Sequence, residues 1–321
     1  MGNLGRLRSA VARSGVALAV GALAAVTSTA AGAAPAGTAE TATPHAATVR
    51  VLFDNTKAEQ AGNADWVISS SMPDPLGENG NPSDESDWTG GLSSWGVALQ
   101  KTGNYTLDTL DSGSITYNGG GDLDLANFDV FVLPEPNVAL SDAEKTAVMT
   151  FVQNGGGLFL ITDHNASDRN NDGIDSVGVA NDLMTNNSVD GSDPFGIAVD
   201  VKDIGSDTPK AISDGSDPVL NGSFGSVSTS SINDGTTQTL NPADNSAVKG
   251  LVYQSSATAG GDTGAFFTVS TFGSGRVAVW GDSSTTDDGT GASGDTLYDG
   301  WNTGSNAALA LNATAWLGGA S

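Results

Sequence analysis

The chain has no cysteine, and its 321 residues hold only 12 lysines and arginines against 37 aspartates and glutamates, a formal net charge of −25. Without cysteine, thiol nucleophiles, thiolate metal ligands and disulfide staples are all excluded. A surface so poor in cations repels phosphate backbones and anionic lipid, so no nucleic-acid partner and no membrane partner is expected. It suits cations, and the same acidity also serves plain solubility. Histidine is nearly absent: His45 and His164 are the two in the chain. No Gly-x-Ser-x-Gly elbow occurs, which weakens any serine-hydrolase reading. Beyond the N-terminal segment no apolar run approaches the ~20 residues that a spanning helix needs.

What is present begins with Arg6, Arg8 and Arg13, the apolar stretch Val16–Val26, and small residues at Ala31-Gly32-Ala33 and Ala34-Pro35-Ala36. That order predicts a signal peptide over residues 1–36, rather than a retained anchor, and hence a secreted protein. Residues 37–47 predict a flexible leader, and 48–321 a single domain.

Within that domain the apolar runs Thr48–Phe53, Phe128–Leu133 and Gly157–Ile161 read as buried strands. Tyr105–Leu110 reads as another. Helices are predicted from Lys57 to Ile68, around Leu92–Leu99, and from Ala307 to Leu317. A further helix opens at the capping box Ser141-Asp142-Ala143-Glu144 and carries Ala147, Val148, Phe151 and Val152 on one face. Ser71–Gly91 reads as a long surface loop. Between Asn186 and Gly264 the pattern weakens to short β-like runs, Ile197–Val201 and Lys249–Tyr253. Ala265–Ser270 and Arg276–Trp280 make a hairpin-like pair. The fold class expected is α/β: a flavodoxin-like, mostly parallel sheet, helices on both faces, and an irregular β-rich insertion.

In such sheets ligands collect outside the carboxyl ends of the strands. Those ends carry Asp54-Asn55, Glu135, Asp163-His164 and Asp282-Ser283-Ser284. Asp163, His164, Asp282 and Ser283 are therefore the catalytic candidates. His164 reads as a general base or metal ligand, or simply as a hydrogen-bonded strand-end residue. Asp168-x-Asn170-x-Asp172-Gly173 matches the start of a calcium loop, with Asp175 as a further oxygen donor and Val179 where an EF-hand places its bidentate glutamate. A divalent cation, calcium by donor type, is the expected cofactor; a solvated turn is the competing reading. Asp54, Lys57, Glu135, Asp287, Asp288 and Trp301 are candidates for contacting substrate, Lys57 equally an ion-pair partner. Trp88 and Trp301, in loop-like context, suit glycan stacking.

Three blocks carry a resemblance. They are Asp54-Asn55-Thr56-Lys57-Ala58-Glu59 with Gly62-Asn63-Ala64-Asp65-Trp66, then Gly155–Asp163-His164 with Ser167–Gly173 and Asn181-Asp182-Leu183-Met184, then Gly281-Asp282-Ser283-Ser284 with Asp287–Gly291 and Gly294-Asp295. Together they resemble secreted bacterial proteins labelled only "hydrolase", with a class I glutamine amidotransferase-like fold. The resemblance implies a nucleophile elbow after a central strand. Asp163-His164 stands in the elbow-like place and Asp282-Ser283-Ser284 in the later one, so the amidotransferase Cys-His-Glu triad does not carry over. The expected function is a secreted, metal-assisted hydrolase acting on an extracellular small molecule or polymer. The alternatives are a non-catalytic, glycan-contacting module with a structural cation, or a serine hydrolase using Ser283 or Ser284.

Overall fold

A computed structural model describes residues 48–58, 66–295 and 297–319. The predictions for residues 1–47 and for Glu59–Asp65 lie outside these. The strands are β1 (Val49–Asp54), β2 (Tyr105–Leu110), β3 (Val130–Pro134), β4 (Gly157–Ile161), β5 (Ile197–Val199), β6 (Ile204–Asp207), β7 (Lys210–Ala211), β8 (Asn221–Gly222), β9 (Gly225–Ser226), β10 (Ile232–Gly235), β11 (Gln238–Leu240), β12 (Lys249–Tyr253), β13 (Thr263–Phe272) and β14 (Gly275–Trp280). The helices are α1 (Ser93–Gln100), α2 (Asp142–Gln153), α3 (Ser176–Thr185) and α4 (Asn306–Leu317).

The main sheet runs β2-β1-β3-β4-β14-β13-β11-β5, with β12 and then β7 branching from β13. The first five strands are mutually parallel. From β13 onward every pairing is antiparallel. The parallel half has the flavodoxin-like order, whose ligand crevice lies outside the strands' carboxyl ends.

The apolar runs follow from burial on both faces. Successive residues of a strand point to opposite sides. Val51, Phe53, Val130, Val132, Phe159, Ile161, Ala278 and Trp280 join one core, beneath α1 and α4. Leu52, Phe131, Leu133, Leu158, Leu160, Val277 and Val279 join the other, beneath α2 and α3. Both alternate sets must therefore be apolar, which is why these strands show no polar alternation. Trp95 ties α1 to the sheet through edge contacts with Phe53 (5.4 Å) and Phe159 (5.1 Å). Its indole N–H donates to Thr314 Oγ1 of α4 at 3.1 Å. Among the described residues no helix is long and apolar enough to cross a membrane.

Three local expectations change. Helix is absent from the described ends of the segment predicted helical from Lys57 to Ile68; Ala58 instead bridges Pro136. The helix α3 was not predicted, although Asp175 caps it by accepting the N–H of Gly178 at 2.8 Å. Trp88 and Trp301 are core residues, 1% and 2% exposed, so neither offers an open stacking face. Burying an indole outweighs the Pro, Gly and Asp content that made their segments look like surface loops.

A carboxyl cluster at three strand ends

Three of the acids singled out at strand ends converge. Glu135 follows β3, Asp163 follows β4 and Asp282 follows β14, adjacent strands in the sheet. Glu135 and Asp282 are fully buried and Asp163 nearly so. Asp163 and Glu135 share a hydrogen bond. Two carboxyl groups can do that only if one of them carries a proton. Burial, reinforced by the charge of Asp282, pushes the Asp163 carboxyl well above the usual range. Burial also raises Asp282 to about 7, against the hydrogen bonds from Ser284 and Asn233.

Each member is held by specific donors. Glu135 Oε2 accepts the Ser283 hydroxyl at 2.7 Å, and Oε1 accepts Asn137 Nδ2 at 3.3 Å. Asp282 accepts the backbone N–H of Asn233 at 2.6 Å and of Ser284 at 2.8 Å. The N–H of Asp163 donates to Ser176 Oγ, the first residue of α3, at 2.8 Å. Glycines allow this close approach: a Cβ on Gly235 would sit 2.7 Å from that of Asp282. Glu135 has φ +34°, and Asp234, whose charge acts on Asp282, has φ +57°. Non-glycine residues in this region are strained, and such strain gathers at functional sites. The strained strand-end corner therefore belongs to Glu135, and not to Asp163 where the resemblance had placed the elbow.

His164 lies at the rim. Its Nδ1 is 2.8 Å from the Asn165 carbonyl oxygen, which can only accept, so Nδ1 carries the hydrogen. In the neutral ring Nε2 is then the basic nitrogen, and it faces Asp163 Oδ2 at 3.8 Å. Arg169 approaches the same oxygen at 4.0 Å. A cleft of about 250 Å³ opens beside the cluster, lined by Ser231, Asn233, Ser284, Tyr298, Asp299, Gly300 and Thr303.

The remaining candidates stand apart. Asp54 is buried at the end of β1 but turns into its own loop, accepting from Thr56 Oγ1 and the Lys57 N–H, both at 2.7 Å. Burial pushes it up to about 6. Lys57 pairs with Glu144 of α2 at 3.0 Å, the ion-pair role that the sequence equally allowed. Asp287 accepts the N–H groups of Gly289 and Tyr298. Asp288 Oδ2 accepts the N–H of Ser94 at 2.6 Å and the Ser93 hydroxyl at 2.9 Å, capping α1 from across the chain. These two acids were expected to meet substrate. They are buried and bonded to backbone donors instead, because helix and turn N–H groups need acceptors.

In the predicted cation loop, Asp168 accepts the N–H groups of Asp172 (3.1 Å) and Gly173 (2.9 Å). Asn170 Oδ1 accepts from Asp172 N, and Asp172 Oδ1 from Ile174 N, each at 3.1 Å. Gly173 has φ +97°, which closes the turn. Asp175 caps α3 and ties the loop to it: its two oxygens accept the N–H groups of Gly178 and Ala166. Among the described residues no group of three or more histidines or acids is arranged to hold a metal ion.

No family model matches the chain, and no curated protein matches it. Among solved structures, the mmIFT52 N-terminal domain is similar over 84% of this chain and 97% of its own, at 12% identity and a TM-score of 0.50. A putative ThuA-like protein from Parabacteroides merdae covers 85% of this chain and 90% of its own, at 13% identity and 0.44. Another from Bacteroides uniformis covers 86% and 94%, at 13% identity and 0.45. ThuA-like proteins have the class I glutamine amidotransferase-like fold. The likeness is one of fold. It assigns no reaction.

Sequence reasoning missed Asn137, Arg169, Asn233, Asp234 and Tyr298. Asn137 had a usable signal, a polar residue directly after Pro134-Glu135-Pro136 at a strand end. Asn233 and Asp234 sit in β10, outside the parallel sheet, and no local pattern marks them.

Proposed function

We propose that this chain is a hydrolase whose proton-transfer centre is the Glu135–Asp163–Asp282 cluster. One observation carries the reading: a shared hydrogen bond between two buried carboxyls, one of them pushed well above its ordinary range, at the carboxyl end of a parallel sheet. A proton shared between two buried carboxyls supplies an acid and a base in one site. Arg169 and His164 at the rim would orient a substrate's polar groups. The reading includes export, with an extracellular substrate, from the sequence of residues 1–36. A glycan-contacting module based on Trp88 and Trp301 loses its support, since both are buried.

The test is a chromogenic panel of esters, amides, glycosides and phosphoesters against wild type and Asp163→Asn. Turnover that falls about 10²–10⁴-fold in the variant, with the fold intact, supports the reading. Equal turnover in both would remove it.

A second reading attaches to the loop after β4. Asp168, Asn170 and Asp172 would donate side-chain oxygens to a hard divalent cation, calcium by donor type. Three side chains at alternate positions, each fixed by an N–H of the same turn, favour it. The cation would order the loop, and no chemical step passes through it. A chelator should then lower the melting temperature and leave the bond specificity unchanged; an unaltered melting temperature argues for a plain Asx-rich turn.

A further inference from the structure

The turn after β14 carries four hydroxyl side chains in succession, and three of them bond locally. Ser284 Oγ donates to Asp282 Oδ1 at 2.5 Å, Thr285 Oγ1 to the Asp282 carbonyl at 2.7 Å, and Thr286 Oγ1 to the Ser283 carbonyl at 2.8 Å. Such bonds are what Ser and Thr do in turns. Ser283 departs from the pattern. Its hydroxyl crosses to Glu135 Oε2 at 2.7 Å, a residue 148 positions away in the chain.

We propose that Ser283 is a nucleophile, with Glu135 as its general base and Asp163 orienting Glu135. This rests on the hydrolase reading above and names its mechanism: acyl transfer through an ester on Ser283 Oγ. A nucleophile within hydrogen-bond reach of a base, and the base held by a third group, is the arrangement that activates a hydroxyl. Here the three come from adjacent strand ends, β14, β3 and β4. Glu135 accepts the Ser283 hydroxyl on Oε2 and is hydrogen-bonded to Asp163, so the neighbouring carboxyl fixes its orientation. Asn137 Nδ2 fixes its other oxygen.

The step balances. The Ser283 Oγ–H proton passes to the Glu135 carboxylate as Oγ bonds to the substrate's carbonyl carbon. Glu135 gives that proton to the departing alcohol or amine as its bond to the carbonyl carbon breaks. Water then attacks the Ser283 ester and loses a proton to Glu135, and the returning Oγ takes it back, releasing the acid. The cleft beside Ser284 presents hydroxyls, the amide of Asn233 and the carboxylate of Asp299. That lining, beside buried acids, disfavours an anionic leaving portion, so the substrate class is a neutral or cationic ester or amide.

The experiment treats the full chain with a fluorophosphonate and maps the adduct by peptide mass spectrometry, alongside the hydrolysis panel. The expected result is one adduct, on Ser283, formed about 10²–10⁴-fold more slowly in Glu135→Gln. Hydrolysis in the panel without any Ser283 adduct overturns the nucleophile and leaves a direct attack by water on the same carboxyl site. An adduct on Ser283 with no turnover in the panel supports the nucleophile and removes the hydrolase reading for those substrates. Mapping on the wild-type chain decides the matter even if Ser283→Ala fails to fold; where that variant folds, full activity in it would also overturn the proposal.

Discussion

Asp282 and Asp288 are buried acids six positions apart, yet they do opposite work. Asp288 spends its oxygens on N–H and hydroxyl donors, Ser93 and Ser94 on one side and Thr290 on the other. Asp282 also has donors, but its charge falls on Asp163, and Asp234 acts on it in turn. The first acid satisfies helix α1; the second belongs to a set of carboxyls that repel one another. A buried acid facing donors contributes stability, and one facing other acids costs it. The sign of a substitution's effect on stability should therefore separate the two groups.

The largest effect expected is on activity. Asp163→Asn should lower turnover about 10²–10⁴-fold while leaving the melting temperature unchanged or raised, because a neutral amide at this buried position carries no ionisable group to desolvate. A marked loss of stability in that variant would collapse the distinction. Next is Trp301→Ala, which should cost about 3–5 kcal/mol in urea unfolding, as a buried indole rather than a surface one. A loss under 1 kcal/mol would return Trp301 to the surface.

The pH dependence follows from the raised acids. Asp282 has a folded pKa of about 7 and Asp54 of about 6, both above the ordinary 3.8. Between the two limits the folded state keeps protons that the unfolded state releases, so stability is highest below about pH 4 for these groups and falls as pH rises toward 7. For Asp282 alone the decline is on the order of 4 kcal/mol at most. Unfolding followed from pH 4 to 8 in wild type and Asp282→Asn checks it: the slope should shrink in the variant. Asp288→Ala should cost about 2–3 kcal/mol. Smallest is Lys249→Ala, which breaks half-exposed pairs with Asp214 and Asp217 at 2.8 Å each and should cost about 1 kcal/mol or less.

Much of the framework was legible. Gly157–Ile161 and Lys249–Tyr253 are strands with the predicted bounds, because a short apolar run with both faces buried has few other fates. The hairpin of β13 and β14 was legible from Gly273 and Ser274 between two β-rich runs. Glu135, Asp163, Asp282 and Ser283 were singled out by position alone, as polar residues where strands end, and the structure places them at adjacent strand ends. What the sequence could not show was which of the strand-end acids face one another. Asp54 has the same local pattern as Asp163 but turns away into its own loop. The task of Asp288 was hidden because its partners lie 194 and 195 residues away. The helix α3 was obscured by the Asn- and Asp-rich stretch before it, whose last acid is its cap.

The hydrogen bond between Ser283 and Glu135 has a consequence for how the chain is made. Strand β4 and Asp163 emerge from a ribosome well before β14, so nearly all of the chain is synthesised before Ser283 can reach Glu135. Until then Glu135 and Asp163 lack their third strand end, and no nascent fragment can assemble the trio. A chain cut short anywhere before residue 283 cannot form the Ser283–Glu135 hydrogen bond, whatever else of the sheet it has built.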